Sequence, residues 1–318
     1  TRNESSAASD VYKRQPMSKD LSEFKGSMVA IATPMNTDGS LDFNSLERLV
    51  EFHIENKTDV IIAVGTTGES ATLSMREHSE VIQKTISIVN KRIPVIAGTG
   101  ANSTSEALEL THQSKALGAD ACLLVTPYYN KPTQNGLYQH YSKIANEVNI
   151  PQILYNVPGR TSVDMYPDTV LKLCEHDNII GIKEASGDID RSKELLDKCS
   201  DKISIFSGDD KTAMRDILQG FKGNISVTAN ICPREMHDVC RLASAGSKDE
   251  AEIINKKIEI LHDDLFIESN PIPVKWALNK MNLINKGIRL PLTWLDEKYQ
   301  KILGKSLTSA GIITENDL

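Results

Sequence analysis

Short apolar runs rich in β-branched residues alternate with longer amphipathic stretches from Ser27 onward. The runs cover 28–32, 60–64, 94–97, 121–125, 152–155, 179–183, 203–206 and 224–227. Runs this short and this apolar predict strands of a parallel sheet buried on both faces. Their starts recur roughly every 20–35 residues, the length of one βα unit. The intervening stretches predict helices: Leu46, Leu49, Val50 and His53 share one face, and Ala107, Leu110, Thr111 and Ser114 share another. Ser103 followed by Glu106 three residues on predicts a capping box.

Eight strands in eight βα units is the count of a closed (β/α)8 TIM barrel, an α/β fold. An open doubly wound sheet is the rival, because periodicity does not reveal closure. Gly98-Thr99-Gly100 begins like a dinucleotide fingerprint, but Ser103 stands where the third glycine belongs, and the unit is the third rather than the first. The barrel is therefore expected over 24–245. Beyond about Ile231 the strand pattern stops, and 248–266 and 273–283 predict helices of a C-terminal segment over 246–318. Nothing in that segment marks catalytic chemistry. Residues 1–16 are polar and lack a signal peptide's apolar core, so they are read as a foreign, disordered leader, with Met17 as the natural start.

Forty-three acidic against 36 basic residues give a net charge of −7, which argues against nucleic acid or an anionic membrane as partner. No apolar stretch approaches the ~20 residues of a membrane helix. Five cysteines, an odd number without a C-x-x-C pair, predict buried free thiols in a reducing cytoplasm. The seven histidines are scattered in no ligand spacing, so no metal site is expected.

Candidate chemistry gathers at the carboxyl ends of the predicted strands, where barrels build their sites. Lys183 ends the sixth run; burial disfavours its ammonium and favours a nucleophilic amine, although a lysine at a strand end can also snorkel to solvent. The second strand ends in Gly65-Thr66-Thr67-Gly68-Glu69-Ser70, whose amides and hydroxyls suit a carboxylate or oxyanion, or else form a plain turn. Tyr128, Tyr129 and Tyr155 can relay protons or simply pack, and Arg160 can hold a second carboxylate or stay solvated. Asp209-Asp210 is read as a cap of the next helix. Several strand ends thus converge on groups fit for one imine-forming site.

From about Phe24 to Leu303 the motifs VGTTGESATL, VIAGTGAN, VTPYYNKP, ILYNVPGRT, IIGIKEASG, SGDD and ISVTAN closely resemble the dihydrodipicolinate synthase family. The resemblance implies a Schiff-base condensation of pyruvate with L-aspartate 4-semialdehyde, without a cofactor, on the way to diaminopimelate and lysine. It implies that Lys183 forms the imine, that Tyr155 is the acid/base, and that Thr66 links Tyr155 to Tyr129, which reaches into a partner subunit's site. Thr66 and Thr67 would hold the pyruvate carboxylate and Arg160 that of the semialdehyde, with Gly208 and Ile225 lining the pocket through their backbones.

The resemblance also implies a homotetramer built as a dimer of dimers. It implies a feedback site for L-lysine at Ser70, Ala71, His78, Gly100, Asn102, Glu106 and Tyr128. Met75 departs from the histidine that lysine-sensitive relatives often carry. The alternatives are a pyruvate-dependent sugar-acid lyase of the N-acetylneuraminate lyase type, against which the Pro-Gly-Arg-Thr run and second threonine argue, and a non-catalytic sensor barrel.

Overall fold

The computed structural model describes residues 24–317; the proposed leader at 1–16 lies outside them. Eight parallel strands close into a barrel in sequence order: β1 (Gly26–Ala30), β2 (Val60–Ala63), β3 (Val95–Gly98), β4 (Ala121–Val125), β5 (Gln152–Asn156), β6 (Ile179–Glu184), β7 (Ser204–Ser207) and β8 (Gly223–Ser226). Each strand pairs with its successor, and β8 pairs back onto β1, which excludes the open sheet.

The helices follow in the loops: α1 (Phe43–Glu55), α2 (Met75–Val89), α3 (Thr104–Leu117), α4 (Gln134–Glu147), the single turn α5 (Pro158–Thr161), α6 (Pro167–Leu173), α7 (Ile189–Cys199), α8 (Asp210–Gln219) and α9 (Pro233–Ser244). Both apolar faces read from the sequence of α1 and α3 are the buried faces. The capping box, however, forms at α2 and not at α3. Ser74 accepts from the Glu77 amide while the Glu77 carboxylate accepts from the Ser74 amide. Ser103 makes no capping bond and pairs instead with the Ser105 hydroxyl at 2.9 Å.

The core has two layers. An inner one gathers strand side chains such as Met28, Ile62, Ile96, Leu123, Ile153 and Phe206, with Phe24 and Val157 beside them; the outer one lies between strands and helices. Strand β6 crosses between layers irregularly: Ile180 belongs to the inner cluster and Ile182 to the outer. Its register against β5 skips a residue, with Gln152 opposite Ile179 but Ile153 opposite Gly181. An extra residue in one strand re-aims the side chains that follow it, and the next after Ile182 is Lys183.

Three further α-helices follow among the described residues, α10 (Lys248–Asp264), α11 (Ile272–Lys280) and α12 (Glu297–Ser309). Helix α10 packs on α8, α9 and α12, so the C-terminal segment lies against the barrel of its own chain. No described helix is long and apolar enough to cross a membrane.

Candidate active site

Lys183 is buried at the carboxyl end of β6, and register places Tyr155 of β5 and Phe206 of β7 on its two sides. Its Nζ lies 4.3 Å from the centroid of the Tyr155 ring. Behind it Glu184 points into the outer layer, where it accepts from Asn156 Nδ2 (3.1 Å) and the Ser186 amide (2.8 Å). Burial raises the Glu184 pKa against these stabilising bonds. Asn156 also donates to Asp164 (2.9 Å), which a two-pronged Arg191 holds at 2.7 and 2.8 Å. This network braces the strand end that carries the lysine.

Gly208, just past β7, passes so close to the lysine that a methyl group there would sit 2.6 Å from Lys183 Cε and 2.7 Å from Ala185 Cβ. Asp209 caps α8 by accepting from the Lys211 amide (3.2 Å), as the sequence suggested. Asp210 instead turns inward: it accepts from Asn224 Nδ2 and from the amides of Val227 and Thr228 at 2.7–3.0 Å, tying β8's exit to β7's.

A cavity of about 290 Å³ opens over Lys183. Tyr155, Thr66, Thr67, Arg160 and Gly208 bound it with Lys183, so six of the eight catalytic and substrate-binding candidates meet in one place. Ile225 does not bound it; it is buried in the inner layer, and Val227 lines the wall two residues on. Tyr129 is 89% exposed, outside the cavity, on a left-handed backbone with φ of 74°. Among the described residues no hydrogen bond joins Thr66 to Tyr155 or Tyr129.

A second cavity of about 490 Å³ lies behind the threonine loop. Ser70, Ala71, His78, Gly100, Glu106 and Tyr128 bound it, together with Met75. Asn102 does not; its carbonyl accepts from Asn130 Nδ2 at 2.8 Å. Burial pushes the His78 pKa down to about 4, and its Nδ1 is buried without a partner in this chain. Burial and the neighbouring Glu106 charge raise the Tyr128 pKa. Thr66, Val157, Arg160 and Asn270 bound both cavities and form the wall between them.

The C-terminal segment, in which the sequence marked no chemistry, supplies part of the site. Asn270 donates to Thr67 Oγ1 at 2.9 Å, and its carbonyl accepts from Arg160 at 3.2 Å. His262, Asp263 and Phe266 bound the mouth of the first cavity. Lys275 of α11 pairs with Glu69 of the threonine loop. The one sequence signal for this contact was a lysine in the middle of the apolar run 271–278.

The chain matches the model of the dihydrodipicolinate synthetase family over residues 23–310. It is 61% identical to the 4-hydroxy-tetrahydrodipicolinate synthase of Thioalkalivibrio sulfidiphilus over 289 residues, 91% of this chain and 98% of that one. To the Pseudomonas aeruginosa synthase it is 57% identical over 288 residues, 91% and 99% of the two chains. Its fold superposes with a TM-score of 0.90 on the chloride-inhibited dihydrodipicolinate synthase of Acinetobacter baumannii, solved with pyruvate. That protein is 60% identical, with 91% and 99% of the chains covered. The enzyme from Cyanidioschyzon merolae, solved with lysine bound, gives a TM-score of 0.88 at 36% identity, again with 91% and 99% covered.

Proposed function

Because the chain belongs to the dihydrodipicolinate synthetase family, we propose that Lys183, Tyr155, Thr66 and Tyr129 carry the condensation for which its relatives are named. The enzyme is a lyase that joins pyruvate to L-aspartate 4-semialdehyde and forms 4-hydroxy-tetrahydrodipicolinate, the first committed step toward diaminopimelate and lysine. The observation that carries the residue assignment is the buried Lys183 amine beside the Tyr155 ring, under a cavity walled by the threonine loop.

The Lys183 amine attacks the ketone carbon of pyruvate, and loss of water leaves an imine. A proton then leaves the pyruvate methyl carbon, the electron pair moves to the imine nitrogen, and the resulting enamine attacks the semialdehyde's aldehyde carbon. The semialdehyde's own amine adds to the imine carbon, the bond to Nζ breaks, and the ring closes. The protonated imine is the electron sink, so the covalent adduct on Lys183 takes the place of a cofactor.

Tyr155 gives and takes the protons of imine formation and release. Thr66 and Thr67 hold the pyruvate carboxylate with amides and hydroxyls. Arg160 takes the second carboxylate with its planar fork, a role that sugar-acid substrates do not need. Gly208 and Ile225 serve through their backbones. The nearly full exposure of Tyr129 supports its use in a partner subunit's site, within a tetramer built from two such dimers.

In the second cavity Glu106 and His78 receive L-lysine as feedback inhibitor, the carboxylate matching the ligand's ammonium. All five cysteines are buried and outside any disulfide among the described residues, which supports a cytoplasmic location.

Borohydride reduction in the presence of pyruvate tests the reading. A stable pyruvate adduct on the peptide carrying Lys183, absent from Lys183→Ala, is expected; an adduct on another lysine overturns the assignment.

A further inference from the structure

Helix α11 is buried on every side, with all seven residues from Ile272 to Leu278 in the interior. In its middle Lys275 has a side chain of 0% exposure and donates to Oε1 of the equally inaccessible Glu69, 206 residues earlier in the chain. The second Glu69 oxygen accepts from the Thr72 hydroxyl (3.2 Å) and the Arg289 amide (3.3 Å).

Glu69 closes the threonine loop in a left-handed conformation, with φ of 57°. Val64, which opens it, is also left-handed, with φ of 56°, a conformation that β-branched residues rarely adopt. Thr66 and Thr67 therefore hang between two backbone positions that persist only where the surroundings hold them. Strand β3 holds the first: a methyl group on Gly98 would lie 2.3 Å from the Val64 carbonyl oxygen, so the two backbones are in direct contact. At the second the grip is electrostatic, since a carboxylate withdrawn from water needs its counter-ion.

We propose that Lys275, by pairing with Glu69, is a positioning residue that fixes the threonine loop for the pyruvate carboxylate. Lys275 bounds neither cavity and touches no substrate. The role rests on the carboxylate-holding function assigned to Thr66 and Thr67. It gives the C-terminal segment a part in the reaction that complements the Asn270 bond to Thr67.

Two variants of the full-length enzyme separate this role from packing: Lys275→Met, and the double substitution Glu69→Gln with Lys275→Met. The double variant leaves no buried ion unpaired, so it decides the matter should the single one fail to fold. In the folded variant the pyruvate concentration for half-maximal borohydride trapping, and KM for pyruvate, rise about tenfold or more, while kcat at saturating pyruvate changes far less. Amide hydrogen exchange at 66–69 quickens while the barrel strands keep their protection. Wild-type pyruvate dependence with wild-type exchange in the folded double variant overturns the proposal. If the wild-type protein traps no pyruvate, the carboxylate assignment fails on its own. Exchange at 66–69 then decides Lys275 separately, and unchanged protection overturns its role.

Discussion

Tyr155 and Lys183 are register partners across β5 and β6, and the lysine Nζ stands 4.3 Å from the tyrosine ring centroid. Both sit in regular strand, so their separation is set by the barrel's hydrogen-bond ladder and not by a loop. In the proposed roles of nucleophile and acid/base group, two side chains held this way need little reorganisation when pyruvate enters. The skipped residue in β6 turns Lys183 toward that partner.

Gly208→Ala tests how tightly the lysine is held. The new methyl group would meet Lys183 Cε at 2.6 Å and Ala185 Cβ at 2.7 Å, so the amine has to move. Misplacement of a reacting group by about 1 Å costs about a hundredfold in rate. We expect kcat to fall by about that factor with the fold intact by circular dichroism; wild-type kcat would contradict the close packing described here.

Tyr129→Phe removes one hydroxyl from an exposed position. If Tyr129 relays protons for a partner subunit's site, turnover falls by about 10²-fold, while borohydride still traps the pyruvate imine on Lys183. Unchanged turnover would remove Tyr129 from the proton path.

The feedback site proposed in the second cavity predicts that lysine inhibition depends on charge there. Glu106→Ala should raise the half-inhibitory lysine concentration by about tenfold or more, because the ammonium loses its charge-assisted partner. Met75→His adds a hydrogen-bonding ring to the same cavity and should lower that concentration. Absence of inhibition of the wild type at millimolar lysine would remove the feedback assignment.

Acid should destabilise the protein through its buried histidines. Burial pushes His53 down to about 3, and His78 and His140 to about 4, from 6.5. These folded pKa values lie below the unfolded one, so the unfolded chain binds more protons between them. The stability they contribute is fully present above pH 6.5 and is lost as pH falls toward 4. Each histidine gives a slope of about 1.4 kcal/mol per pH unit within its window. The urea midpoint should drop between pH 7 and pH 5, and His140→Gln should flatten the drop; a flat wild-type profile would contradict the buried neutral state.

Strand positions and the main site were legible because apolar runs and strand-end residues report local burial. The runs ending at Val64, Tyr155 and Lys183 mark the ends of β2, β5 and β6 to within a residue, and groups at and just beyond these ends meet in one cavity. Closure was not legible, since it lies in the pairing of β8 with β1. Serine followed by glutamate three residues on occurs at both Ser74 and Ser103, yet a competing bond to Ser105 takes the second serine away. The roles of Asn270 and Lys275 were hidden for a different reason: their partners, Thr67 and Glu69, lie 203 and 206 residues away, beyond any periodic pattern.

The most direct test of the central claim is the rate of pyruvate consumption with L-aspartate 4-semialdehyde as acceptor, coupled to reduction of the product by a dipicolinate reductase. Wild-type protein should consume the two substrates one for one and deliver a reducible cyclic product. Lys183→Ala, folded as judged by circular dichroism, should deliver none. A negligible wild-type rate, or full activity in Lys183→Ala, would contradict the account.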